Sequence, residues 1–296
     1  MKTWLKRGAI ALVILFVLAA VVVAIGLWRA AKRAERRFDI AAMAVPLPTE
    51  PAARERGRYL FASRGCADCH GANGAGRVFV EHGDSLRLAG PNITRGAGSS
   101  VLSYAPVDWV RVIRHGVAPG GRALRVMPSE DYNRLTDADL GAIIAHVQSL
   151  PPAPGSAAQI VLPLPARVMY GFGAIPDAVD KIDHSLPPAQ PVPEGVTIEH
   201  GRYVANMCLG CHGPRLEGGR IPGGPPDWPA AARLAPGNDD VMSSRYADAD
   251  TFVAMLRSGR NPEGRALQVM PFEALKQLSD TDARALHLYL GSLRKP

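Results

Sequence analysis

The strongest feature of the hydrophobic pattern is an uncharged run of 21 residues, Gly8–Trp28. A bilayer core takes about 20 residues of helix. The run therefore predicts a transmembrane anchor over residues 1–30, with a juxtamembrane segment over 31–52. The alternative is a cleavable secretory signal, whose apolar core is ordinarily about 7–15 residues. Ala24 and Gly26 are small enough to suit a peptidase. Beyond residue 52 the apolar positions take helical spacing, as in Leu140, Ile143, Ile144 and Val147. Short helices are predicted at Ala53–Ser63, opened by Pro51, at Asp108–Arg114 and at Asp137–Ser149. Thr136 with Asp139, and Ser279 with Asp282, read as capped helix starts.

The pattern repeats. Trp109–Leu150 aligns with Phe252–Leu293 at an offset of 143, with 18 of 42 positions identical. The densest match sets Arg122–Pro128 against Arg265–Pro271, and Gly57-Arg58-Tyr59 has its counterpart in Gly201-Arg202-Tyr203. One supersecondary unit is therefore used twice, over 53–150 and 197–296. Between them, residues 151–196 hold 10 of the 26 prolines and form a connector. Its apolar stretches, Ile160–Leu164 and Val168–Phe172, are expected to drape over both units, and each unit is expected to fold on its own.

The net charge of +7 suggests nucleic acid until it is located. Residues 1–37 carry eight basic side chains against Glu35, so residues 38–296 hold 26 of each sign. The excess flanks the apolar run and gives no support to nucleic-acid binding.

All four cysteines fall in two pentapeptides, Cys66-Ala67-Asp68-Cys69-His70 and Cys208-Leu209-Gly210-Cys211-His212. C-x-x-C-H is the attachment signature of haem c. Two thiols spaced by a turn reach the two vinyl groups of one porphyrin, and the next His lies under the ring as an iron ligand. A structural zinc site would use C-x-x-C pairs as thiolate ligands, a thioredoxin-like pair would sit beside a β-α-β pattern that is not visible here, and two structural disulfides would rarely put His directly after both pairs. Two covalently attached haem c groups are expected. Lys and Arg near the span number three before it and five after it, which would leave the body cytoplasmic. Haem c attachment takes place outside the cytoplasmic membrane, and it overrides that count. The expected location is the inner membrane, single-pass, with the haem units in the periplasm.

With these motifs, Met127-Pro128, Met270-Pro271, Gly90-Pro91-Asn92 and the Asp-rich starts of both last helices, the chain resembles class I c-type cytochromes in their dihaem, membrane-anchored form. It also resembles the cytochrome subunits serving membrane-bound alcohol and sugar dehydrogenases. The resemblance implies an all-α fold in which the first and last helices of each unit cross near Gly57 and Gly201. It also implies that the Pro91 carbonyl holds the second nitrogen of His70. For His212, Pro222, Pro225 and Pro226 all remain open.

His70 and His212 supply one axial ligand each. Met127 is the sole methionine of the first unit after Cys69, whereas Met207, Met242, Met255 and Met270 compete in the second. The repeat selects Met270, because Met127 lies 57 residues after His70 and Met270 lies 58 after His212. The other six histidines read as surface or packing residues. Arg122 and Arg265 occupy matching places, either as haem-propionate partners or as solvated side chains.

A haem with His and Met ligands has no open position for substrate, so an electron carrier of a respiratory chain is expected rather than an enzyme. Its redox partners would be a dehydrogenase or quinol-oxidising complex on one side and a terminal oxidase or soluble cytochrome on the other. Alternatives are an electron-wire subunit of a larger complex and a dihaem peroxidase, which needs one open haem.

Overall fold

The computed structural model describes residues 2–225 and 227–293, and it is mostly helical. Helix α1 (Lys2–Ala34) carries the uncharged run, stays helical for one further turn, and ends on Lys32 and Arg33. It is long and apolar enough to cross a membrane, with its apolar side chains facing outward.

The first unit contains α2 (Pro51–Ser63), α3 (Cys66–His70), α4 (Pro106–His115), α5 (Ser129–Tyr132) and α6 (Asp137–Ser149). The second contains α8 (Ile198–Ala205), α9 (Leu209–His212), α10 (Val241–Ser244), α11 (Ala249–Ser258), α12 (Phe272–Leu275) and α13 (Asp280–Ser292). In each unit the outer helices cross at a glycine. A β-carbon on Gly57 would stand 2.0 Å from the Ala142 carbonyl oxygen, and one on Gly201 would stand 1.9 Å from that of Ala285. Only a residue without a side chain lets the backbones approach so closely. Around the crossings Leu60, Leu140 and Ile144 fill one core, and Val204, Leu256, Leu286 and Leu290 fill the other. The caps form as their sequence suggests: Thr136 Oγ1 accepts from Asp139 N at 3.0 Å and Ser279 Oγ from Asp282 N at 3.1 Å.

The all-α expectation needs correcting. Strands β1 (Val78–His82), β2 (Leu86–Ala89) and β5 (Gln159–Val161) form a three-stranded antiparallel sheet in the order β1-β2-β5, with Leu88 opposite Ile160. A two-residue pair, β3 (Val117–Ala118) and β4 (Arg122–Ala123), follows α4. Val78-Phe79-Val80 supplies β-branched and aromatic residues ahead of a Gly83-Asp84 turn, a local strand preference that outweighs the helical surroundings.

The connector lies mostly along the first unit and α1, and it also reaches the second unit where Ile175 approaches Gly223. Its β5 completes the sheet, and its helix α7 (Leu164–Gly171) packs on α1. A β-carbon on Gly171 would stand 1.9 Å from the Gly26 carbonyl oxygen. Just beyond α7, Asp177 is fully buried and accepts from Arg33 at 3.2 Å and Arg36 at 2.8 Å, with Asp180 closing the cluster.

The two units meet through a contact made twice with their roles exchanged. Tyr59 of the first donates to Asp282 of the second at 2.7 Å, and Tyr203 of the second donates to Asp139 of the first at 2.6 Å. Each carboxylate also has a cation or imidazole from its own unit's first helix, Arg56 at 3.0 Å for Asp139 and His200 at 2.7 Å for Asp282. Arg64 adds a buried ion pair to Asp282 at 2.8 Å. Burial alone would push the Asp282 carboxyl up, yet Arg64, Tyr59 and His200 hold it down at about 2.

Candidate haem-binding site

The C-x-x-C-H segments form single helical turns. In the first, Gly65 enters at φ 80° and Gly71 leaves at φ 72°, so α3 is bounded on both sides by conformations that suit glycine. In the second, the 3₁₀ turn Asn206–Cys208 runs into α9, and Gly213 leaves at φ 82°. No disulfide joins any of the four cysteines. Burial pushes Cys66 and Cys208 up to about 12 and Cys69 to about 11, so these side chains are thiols at neutral pH when no group is bound. Among the described residues no three His, Cys, Asp or Glu side chains converge to hold a metal ion.

Each histidine has one nitrogen held. His70 Nδ1 lies 3.0 Å from the Pro91 carbonyl oxygen, and His212 Nδ1 lies 2.8 Å from that of Ala232. A carbonyl only accepts, so Nδ1 carries the proton and Nε2 is left with the lone pair iron would take. Burial lowers the pKa of both rings and keeps them neutral. The second acceptor is therefore Ala232 rather than Pro222 or Pro225, while Pro226 lies outside the described residues. The chain reaches His70 because Gly90 passes the turn so closely that a β-carbon there would stand 2.1 Å from the Cys69 carbonyl oxygen.

Met127 is partly buried against the core of the first unit and Met270 against that of the second. Both precede the same turn: Ser129 N donates to the Met127 carbonyl and Phe272 N to that of Met270, each at 2.9 Å. Met242 and Met255, 1% and 5% exposed, are committed to the second core. The two loops differ at the preceding valine. Val269 takes φ 75°, an uncommon state for a β-branched residue, whereas Val126 is not among the positive-φ residues. Arg122 and Arg265 are exposed, and Arg265 lies 3.6 Å from Glu263.

Sequence reasoning missed the groups between the two turns. Asp131 accepts from Gly210 N at 2.8 Å, inside the second C-x-x-C-H turn, although it belongs to the first unit. Burial, with Glu130 beside it, pushes its carboxyl up to about 8. Tyr132 donates to the Arg64 carbonyl at 2.9 Å. The one available signal was a departure from the repeat, since Asp131 and Tyr132 align with Ala274 and Leu275.

Paired thiols on one turn, followed by a neutral imidazole with one nitrogen tied back, fit haem c, and among the described residues neither turn is joined by the further ligands a structural zinc would take. Comparison with known proteins agrees. Residues 52–147 match the family described as cytochrome C oxidase, cbb3-type, subunit III. The chain is 26% identical over 283 residues to the fructose dehydrogenase cytochrome subunit of Gluconobacter japonicus, covering 83% of this chain and 55% of that protein. It is 27% identical over 271 residues to the gluconate 2-dehydrogenase cytochrome c subunit of Pantoea cypripedii, covering 81% and 59%. A nicotinate dehydrogenase subunit of Pseudomonas putida is 26% identical over 265 residues, covering 81% of this chain and 21% of that protein. The chain thus spans a little over half the length of the first two. Residues 52–147 thus match a c-type cytochrome family, and most of the chain is similar to the cytochrome subunits of bacterial dehydrogenases.

Proposed function

We propose that the chain is a membrane-anchored dihaem subunit that passes electrons from a dehydrogenase or quinol-oxidising complex to a terminal oxidase or soluble cytochrome on the periplasmic side of the inner membrane. The first haem c would be held by Cys66, Cys69, His70 and Met127, and the second by Cys208, Cys211, His212 and Met270. When bound, each haem supplies an Fe(III)/Fe(II) couple. The chain's own part would be to tether the ring through its paired thiols and to offer the iron a neutral imidazole, from His70 or His212, and a thioether, from Met127 or Met270. A thioether is a soft ligand that favours the reduced metal and raises the potential. With a methionine loop in both units, neither lacks a sixth ligand, and this supports electron transfer over peroxidase chemistry.

The observation that carries the reading is the duplicated histidine geometry, with Nδ1 on a backbone carbonyl at 3.0 Å in one unit and 2.8 Å in the other. The anchor reading is supported by the way α1 is built into the rest of the chain. Cleavage after Gly26 would remove the carbonyl on which Gly171 packs, and cleavage after Ala24 would leave it on a frayed chain end. The test is haem stoichiometry on the purified chain, by pyridine haemochrome absorbance and intact mass. Two haems per chain are expected, falling to one when Cys208 and Cys211 are both replaced by Ala. A single haem in the unaltered chain would overturn the dihaem reading.

A further inference from the structure

The connector helix α7 lies along α1 and leaves apolar side chains exposed beside it. Val168 and one edge of the Phe172 ring lie against Gly26, and buried Tyr170 donates to Asp177 at 2.9 Å. Leu164, Met169 and Phe172, the residue just after the helix, nevertheless stay 48%, 40% and 46% exposed. The height of these apolar side chains along α1 is set by contact. Gly171 packs on Gly26, and the Tyr170 carbonyl accepts from Arg33 at 3.3 Å. From Gly26 to Arg33 a helix rises about 10 Å, and the uncharged run ends between them, at Trp28. These apolar side chains therefore stand where α1 passes from apolar to charged. Cations flank them: Arg29 lies over the Phe172 ring at 5.6 Å, and Arg167 is exposed on α7 itself. Apolar side chains bordered by Arg at that height match the interfacial layer of a bilayer, where apolar groups enter the acyl boundary and cations meet phosphates.

The geometry points to α7 as a second membrane contact: Leu164, Met169 and Phe172 enter the interfacial layer of the leaflet from which α1 emerges, with Arg29 and Arg167 at its phosphates. This rests on α1 being an anchor. The joint is stiff, because Arg33 and Arg36 grip Asp177 and Asp180 immediately after α7. The rest of the chain is then held at one height and tilt over the membrane and does not swing on the segment after Ala34.

The full chain can be placed in nanodiscs containing a phospholipid with a photoactivatable diazirine near the carbonyl end of one acyl chain, irradiated, and its adducts mapped by peptide mass spectrometry. Adducts are expected on Leu164, Met169 or Phe172 as well as on α1. In the variant L164S/M169S/F172S the α7 adducts should be lost while those on α1 remain. Adducts on α1 alone in the unaltered chain would overturn the proposal and leave the anchor reading standing. Absence of adducts on α1 would overturn both. Adducts on α7 that persist in the triple variant would mark the labelling as indifferent to these apolar side chains, and would also overturn the proposal.

Discussion

Met127 and Met270 are the residues on which the redox behaviour turns, since each is the soft ligand proposed for one iron. Met127→Ala should open one haem to carbon monoxide, abolish its weak near-infrared sulphur-to-iron band and lower its potential, leaving the other haem unchanged in a redox titration. Met127→His should keep that haem low-spin and still lower its potential. A second prediction concerns the facing imidazoles His115 and His184, whose Nδ1 atoms lie 3.0 Å apart. Burial, then His184 and Arg114, push His115 from 6.5 down to about 4. The folded chain holds this ring neutral while the unfolded chain takes up a proton first. Its contribution is therefore complete above pH 6.5 and is lost as pH falls from 6.5 toward 4. Melting temperatures across that window should decline more steeply for the native chain than for His115→Gln. At this scale the cysteines and histidines proposed to hold haem stand out in the sequence because covalent attachment would dictate their spacing. Asp131 was not, because nothing in its own neighbourhood signals that a turn 79 residues later will meet its carboxylate.

The helix pairs α2–α6 and α8–α13 are where substitution should be least forgiving. Gly57→Val or Gly201→Val places atoms inside a neighbouring carbonyl, and overpacking of this kind costs about 1–3 kcal/mol, occasionally more. Denaturant unfolding of the haem-loaded chain should show a lowered midpoint for either change, whereas Gly291→Val, on α13 where a β-carbon would meet nothing within 4 Å, should lower it far less. These helices were readable because a 3.6-residue period, a Pro start and Ser or Thr caps all pointed the same way; α6 runs over Asp137–Ser149, as its sequence indicates. The sheet was not readable because its strands are five, four and three residues long and the third comes from the connector, where proline count argued for irregular chain.

The whole molecule is joined by the exchanged tyrosines. Tyr59→Phe and Tyr203→Phe each remove a hydrogen bond to a carboxylate, worth about 1.5–3 kcal/mol. Each should lower the stability of the chain in denaturant titration, and following both haems should show the two units weakened together. Residues 197–296 expressed alone should be less stable than in the full chain, because Asp282 would lose both Tyr59 and Arg64. The repeat itself was plain in the sequence, yet nothing in Gly-Arg-Tyr signals that its tyrosine reaches the other unit, so the docking of one copy on the other was hidden. The exchange has a consequence for descent. A duplicated module is normally free to be trimmed back to one copy or to drift apart from its twin. Here deletion of either half would strand the survivor's acidic residue without its hydroxyl, and a change at either tyrosine is felt by the sister copy. Selection on this gene therefore acts on the pair, and each half becomes part of the other's environment.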